Sequence, residues 1–303
     1  MAFFGPTGTF TEEALLTQAD YAAAALVPFP TITDVFDAVD RGEVDLGFVP
    51  IENGIEGSVA VTLDGLIFDY SLKIQREVLL DIHLTLLGRH GAKLSDIRRV
   101  VSFPHAIAQC RKYLARNLPG VELVAAASTA EAARQVAETA DRSSGAVAPR
   151  LAARVYDLAV LAEDVEDHPE NQTRFVAVAA SGVPAPTGHD RTTIVCFQRA
   201  DRPGSLHGML SEFAARNINL TKLESRPTKR SLGDYCFVIE FEGHIAEEIT
   251  ADCLKVLHTE LAGVKFLGSY PAAGNHAQDR RRRADDAWRA AERWIADLRG
   301  EIE

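Results

Sequence analysis

The chain has 303 residues, 47% of them hydrophobic and 25% charged, with 32 Lys and Arg against 43 Asp and Glu for a formal net charge of -11. This length exceeds a usual single domain and the composition can bury a sizeable core, so two soluble domains plus a tail are expected and wholesale disorder is excluded. An acidic balance also excludes a nucleic-acid face, which needs clustered cations; the one basic run, Arg280 to Arg283, reads as a solvated helix start.

The opening Met1-Ala2-Phe3-Phe4-Gly5-Pro6 shows no basic leader or apolar h-region, and no apolar run approaches the roughly 20 residues that span a bilayer. A cytoplasmic protein with no membrane partner is expected. Cys110, Cys196, Cys236 and Cys253 are scattered without a CxxC pair and should be reduced and mostly buried.

In chain order, strands at 2–4, 26–28 and 46–49 alternate with helices from about 11 and at 32–41. Strands follow at 79–87, 99–102, 123–125, 145–148 and 175–179, with helical stretches at 106–116 and 129–141. Such alternation predicts an α/β layer structure with largely parallel strands. The run 181–188 gathers two prolines and two glycines and marks a domain boundary. Beyond it, strand 192–197, helix 205–216, strands 220–225 and 235–241, helix 246–261 and strand 264–270 give the βαββαβ order of a ferredoxin-like unit. A C-terminal helix over 285–302 carries an apolar stripe of Trp288, Ala291, Trp294, Ile295 and Leu298 that must cover something.

Four segments could carry chemistry. Gly5-Pro6-Thr7-Gly8-Thr9-Phe10-Thr11-Glu12 joins a strand to a helix; Thr9 and Glu12 have capping-box spacing, while the glycines and free N–H groups equally suit an anion. Glu52 and Asn53 emerge at the carboxyl end of strand 46–49, where open α/β sheets place ligands, and Asn53-Gly54 is also a plain turn signal. Ser102 reads as an N-cap, with His105 partly exposed and Gln109 about two turns into the helix. Asn171-Gln172-Thr173-Arg174-Phe175 leads into the next strand. Histidine spacing gives no metal motif, and no dinucleotide or Walker fingerprint occurs, so a site without cofactor or metal is expected.

Taken together, GPTGTFT at 5–11, PIENGIEGSV at 50–59, SFPHAIAQC at 102–110 and TRF at 173–175 resemble the prephenate dehydratase family. PGSLHGML at 203–210 and ESRP at 224–227 are similar to its ACT domain. The resemblance implies a catalytic part at 1–182 folded as two α/β lobes like a periplasmic binding protein, one of 1–78 with 162–180, the other of the middle segment. It implies an ACT regulatory domain at 190–271, then a linker and helix at 272–303. Prephenate would be the substrate, with Thr173, Asn53, Ser102 and Gln109 catalytic and Thr7, Thr9, Glu52, Arg174 and Phe175 near it. Thr173 would assist departure of the ring hydroxyl, Arg174 would receive the pyruvyl carboxylate, and Asn53, Ser102 and Gln109 would donate to substrate oxygens. Phenylalanine would bind at Gly204, Ser205, Leu206, Glu224, Ser225, Arg226 and Pro227 in a homodimer or homotetramer. Four positions depart from the family: Phe103 and His105 stand where it often has His and Gln, Gly54 where Ser is common, and Thr7 where Glu is frequent. An arogenate dehydratase and a non-catalytic two-lobed binding protein with an ACT sensor remain as alternatives.

Overall fold

Short apolar runs alternate with amphipathic stretches through the first 180 residues, giving β1 (Ala2–Phe4), α1 (Phe10–Leu16), α2 (Ala19–Ala22), β2 (Val27–Phe29), α3 (Ile32–Asp40), β3 (Gly47–Asn53), β4 (Gly57–Ser58), α4 (Ala60–Asp64) and β5 (Lys73–Asp81). There follow β6 (Thr85–Gly88), β7 (Arg99–Ser102), α5 (Pro104–Gln109), α6 (Arg111–Asn117), β8 (Glu122–Ala125), α7 (Thr129–Glu138), β9 (Ser144–Ala148), α8 (Arg150–Val155), β10 (Ala159–Ala162) and β11 (Gln172–Ala179). The structure, a computed structural model, describes residues 1–199, 202–229 and 234–273 together with 294 and 299. Two compact units result: Met1–Leu72 with Val78–Ala180, and Lys73–Glu77 with the residues from Ser181 onward.

The first unit is two-lobed α/β. One sheet has the order β2-β1-β3-β11-β5 with β4 added to β3, and the other β10-β6-β9-β7-β8. Strands β1, β2 and β3 run parallel, as do β7, β8 and β9. Pairing of β11 with β3, and of β6 with β9 and β10, is antiparallel. The sheets are therefore mixed, not largely parallel. Strands that arrive by crossing from the other lobe need not run with the strands they join.

These crossings explain the main departure from the predicted elements. The apolar run 79–87 is not one strand: β5 ends at Asp81 in one sheet and β6 begins at Thr85 in the other. The return crossing occupies 163–171. Ile82 N donates to Asn171 O at 2.8 Å, Val165 N to Leu84 O at 2.9 Å, and Leu84 N to the Glu166 carboxylate at 2.8 Å. Hydrophobic periodicity does not report such a change of sheet, because both halves are apolar.

Helix α3 sets the position of β3. Thr31 caps it by accepting from Asp34 N at 3.0 Å, and Ile32, Val35, Phe36, Ala38 and Val39 are buried. Burial of Ile32, Val35, Phe36 and Val39 contributes about 1.5–3 kcal/mol each. A Cβ at Gly47 would lie 2.8 Å from Val35 and 2.9 Å from Val39, so only glycine lets this helix sit directly on the strand leading to Asn53.

The second unit is β12 (Asp190–Phe197), α9 (Ser205–Ala215), β13 (Leu220–Pro227), β14 (Tyr235–Glu242), α10 (Glu248–Glu260) and β15 (Gly263–Pro271), the expected βαββαβ order. Its antiparallel sheet runs β13-β14-β12-β15. Met209 and Phe213 of α9 and Cys253 and Leu257 of α10 pack on Ile194, Cys196, Ile239 and Phe241. All four cysteines are free and buried, as expected. The C-terminal stripe lies outside the described residues except for Trp294, which is helical and exposed. Among the described residues no helix is long and apolar enough to cross a membrane.

Candidate active site

The site begins with the antiparallel register of β3 and β11, which sets Thr173 opposite Asn53 and Arg174 opposite Glu52. Strand 46–49 of the sequence reading continues through Asn53, so Glu52 and Asn53 are ladder residues and do not protrude from a strand end. Side chains alternate along a strand, and the Asn53–Thr173 and Glu52–Arg174 pairs occupy opposite faces.

On the first face, Asn53 Nδ2 donates to Thr173 Oγ1 at 2.7 Å. Asn53 Oδ1 accepts from Ile55 N at 2.9 Å and Glu56 N at 3.0 Å, closing the turn between β3 and β4. The turn reading and the site reading of Asn53 therefore hold together. Those two acceptances fix which end of the amide is oxygen, and the nitrogen must face Thr173. Since Thr173 Oγ1 accepts there, its own O–H is directed elsewhere. Thr173 is 8% exposed.

On the other face, Arg174, only 5% exposed at the side chain, holds Glu52 at 2.9 Å. The guanidinium expected to receive a substrate carboxylate is thus committed to a partner on the far side from Thr173. Phe175 is likewise no pocket residue: it is buried in the first lobe's core and stacks on Phe48 with ring centroids 5.6 Å apart. A register shift between Arg174 and Phe175 accompanies its turn into the core.

The second lobe supplies Ser102 and Gln109. Ser102 is not the N-cap of α5; that position is Phe103, and the fully buried Ser102 hydroxyl donates to Val147 O at 2.6 Å. The predicted helix 106–116 is two helices broken at Cys110, and Gln109 is the last residue of α5. Asp167 causes the break. Its N–H donates to Gln109 O at 2.6 Å, while its carboxylate accepts from Lys112 N at 2.9 Å and Tyr113 N at 3.2 Å. One residue of the return crossing thereby takes both ends of the bond that would have joined Tyr113 N to Gln109 O in a continuous helix. The Gln109 side chain accepts from Asn171 Nδ2 at 3.2 Å. Asn171, two residues before Thr173, carries no sequence signal of this contact, because no periodicity marks a crossing.

In the loop before α1, Thr9 caps the helix by accepting from Glu12 N at 3.4 Å, and the Glu12 carboxylate accepts from Gly8 N. The capping box is displaced by one residue, and Gly8 N is not left open for an anion. Thr7 O accepts from Tyr156 Oη of the second lobe at 2.8 Å. His105 Nδ1 meets the Glu56 carboxylate at 2.7 Å, a second link between the lobes, with both side chains substantially exposed.

Burial pushes the Cys110 thiol well above its ordinary value, reinforced by Glu166 and Asp167, which removes it as a nucleophile beside Gln109. Burial also raises the Glu13 carboxyl against the opposing charges of Arg154 and His83. His83, Asp164 and Glu166 bring three potential ligand atoms within 4.8 Å of one another. Two of those groups face His83 Nδ1, at 3.1 and 3.3 Å, and Glu166 also fastens Leu84, so the cluster serves the crossing.

In the second unit, α9 starts at Gly204, whose φ of 87° is left-handed, and among the described residues no side chain caps it. Ser205 and Leu206 form its half-buried first turn. Glu224, Ser225, Arg226 and Pro227 are the last residues of β13, with Glu224 3.4 Å from Arg226 and 3.5 Å from Lys222. Burial alternates along this edge strand, and Leu223 is 44% exposed.

A two-lobed α/β unit with a neutral hydroxyl–amide site, followed by a ferredoxin-like unit, describes a small-molecule enzyme with an appended sensor module. The prephenate dehydratase family matches residues 1–182 and the ACT domain family residues 192–259. The chain is 45% identical to the prephenate dehydratase of Amycolatopsis methanolica over 99% of this chain and 98% of that one. With that of Mycobacterium marinum it shares 42% identity over 91% and 90%. A solved prephenate dehydratase from Arthrobacter aurescens, in complex with L-Phe, superposes with a TM-score of 0.86 at 38% identity, covering 98% of each chain. A structure described as a quorum-quenching acylase, GqqA, superposes with a TM-score of 0.81 at 30% identity, covering 90% of this chain and 97% of that one. The chain belongs to the prephenate dehydratase family.

Proposed function

We propose that this protein converts prephenate to phenylpyruvate at the Asn53–Thr173 pair and is feedback-regulated by phenylalanine. The observation that carries the reading is the oriented bond from Asn53 Nδ2 to Thr173 Oγ1, which leaves the threonine proton as a donor. Prephenate is a dianion whose ring becomes aromatic once carbon dioxide and the ring hydroxyl depart. The electron pair of the ring–carboxylate bond moves into the ring, and the C–O pair leaves with oxygen. Thr173 donates to that oxygen as charge develops, and Asn53 steadies the threonine oxygen behind it, which is electrostatic assistance more than proton transfer by a strong acid. Gln109 supplies a further neutral donor to substrate oxygens. Neutral donors suit the step, because a cation on the departing carboxylate would stabilise the ground state and oppose its loss. Ser102, committed to Val147, ties β7 to β9 in the second lobe, and the Glu52–Arg174 pair holds the strand ladder.

Acyl transfer is disfavoured on a specific ground. A hydroxyl nucleophile needs a base in hydrogen-bond reach, and neither Ser102 nor Thr173 has a histidine partner among the described residues.

Catalysis is assigned to 1–182 and regulation to 190–271. Phenylalanine is read as bound near the start of α9, where Ser205 N is held by Arg202 O and the next helix N–H groups suit a carboxylate, and near the Glu224–Pro227 strand end. The exposed edge of β13 supports a homodimer or homotetramer, and a cytoplasmic location accompanies the biosynthetic role. The test is turnover of prephenate by the purified chain, with arogenate and an acylase substrate as parallel arms and phenylalanine added to each. Phenylpyruvate formation suppressed by phenylalanine is expected. No product from prephenate would overturn the reading, and product from arogenate at a higher kcat/KM would reassign the substrate.

A further inference from the structure

Asn171 is 3% exposed and lies where the two interlobe crossings meet, with its carbonyl bonded to Ile82 N. Its Nδ2 donates to Gln109 Oε1 at 3.2 Å, while its Oδ1 is buried with no partner among the described residues. A side-chain amide carries one acceptor end and one donor end. Occupying Gln109 Oε1 leaves Gln109 Nε2 as the end available to a ligand. The main chain of Gln109 is already held by Asp167 N at 2.6 Å, so the remaining freedom of the residue is the polarity and direction of its amide.

We propose that Asn171 is the positioning residue for Gln109, fixing its amide so that it offers N–H and not C=O to the substrate. The proposal rests on the reading of Gln109 as a substrate donor. Substrate chemistry supplies the reason for this polarity. Prephenate presents two carboxylates and a keto oxygen, all acceptors, and a single donor in its ring hydroxyl. A glutamine with its carbonyl turned outward would face those oxygens with a lone pair and repel them. The opposite polarity, Gln109 donating to Asn171 Oδ1, would satisfy the buried oxygen, leave Asn171 Nδ2 without its acceptor and expose that carbonyl. The arrangement present leaves Asn171 Oδ1 unpaired, an arrangement that directs the Gln109 donor outward.

Asn171→Asp is nearly isosteric and reverses the polarity, because a carboxylate accepts from Gln109 Nε2 and turns Oε1 to the ligand. Asn171→Ala removes the donor and the orphaned oxygen together, and it serves if the aspartate variant does not fold. Steady-state kinetics on prephenate and thermal unfolding are read for each variant, for Gln109→Ala, and for the double variants. Gln109→Ala is expected to lower kcat by roughly 10²-fold, the scale of one preorganised donor. Asn171→Asp is expected to lower kcat at least about tenfold with unfolding temperature held, and to add nothing once Gln109 is alanine, since coupled residues are non-additive. Losses that multiply in the double variant, or an Asn171→Ala enzyme with normal kcat, would overturn the positioning role. A Gln109→Ala enzyme with unchanged kcat would instead overturn the donor reading beneath it, and the single variant alone separates the two failures.

Discussion

Asn53 and Thr173 are 120 positions apart in sequence, yet the amide of one donates to the hydroxyl of the other at 2.7 Å across a β-ladder. Asn53→Asp should invert this bond. A carboxylate would still accept from Ile55 N and Glu56 N and keep the turn, but it would capture the Thr173 proton. Turnover is expected to fall by roughly 10²-fold with little change in unfolding temperature. Steady-state kinetics on a variant shown by circular dichroism to be folded would check this, and an active Asn53→Asp enzyme would deny the bond its assigned direction.

The Glu52–Arg174 pair should behave as structure. Removing one partner of a fully buried pair costs about 3–5 kcal/mol; Glu52 is 36% exposed at its side chain, so roughly half that is expected for Arg174→Ala. Chemical denaturation should show the loss, while Glu52→Gln leaves KM for prephenate near normal. A large rise in KM for Glu52→Gln at unchanged stability would return the pair to the substrate.

Gly54 offers a gain. A Cβ there would lie 3.4 Å from Gln172 O and 3.7 Å from Asn171 Oδ1, ordinary contact distances. Serine, common at this position in the family, would bring a hydroxyl within reach of the orphaned oxygen. Gly54→Ser is expected to stabilise by about 1 kcal/mol, raising Tm by about 2–4 °C. Calorimetry would measure the shift, and a fall in Tm would count against the orphan's need for a donor.

Alkaline stability should depend on the thiols. Burial pushes Cys196 up to about 12, Cys253 to about 12 against the opposing charge of Arg216, and Cys110 higher still, where Glu166 and Asp167 add to it. An unfolded thiol ionises near about 8.5. Because the folded values are the higher ones, their stabilising contribution is complete below about pH 8.5 and is lost as pH rises from there toward 12. Tm should decline over that range, and replacing Cys196 with alanine should flatten the decline. Native protein should also resist alkylation at pH 8.5, whereas rapid labelling would contradict the burial.

Much of the fold was legible. Strands Ala2–Phe4 and Arg99–Ser102 were read to the residue, and the βαββαβ order was read whole, because period-2 and period-3.6 patterns are local. Residues Asn53, Thr173 and Gln109 were named from joint motifs, not from spacing. Three things escaped the reading. The chain changes sheet at Ile82–Leu84 inside one apolar run. Asp167 breaks a helix from 55 positions away from Lys112. Phe175 and Arg174 follow Thr173 in the motif but point into the core and to the opposite face. Each depends on a long-range partner that no window of sequence contains.

Turnover of Thr173→Ala, compared with Thr173→Ser, tests the central claim most directly. The account predicts that alanine lowers kcat by roughly 10²-fold or more while serine, which keeps the hydroxyl, retains most of it. Phenylpyruvate formed at a near-normal rate by the alanine variant would contradict it.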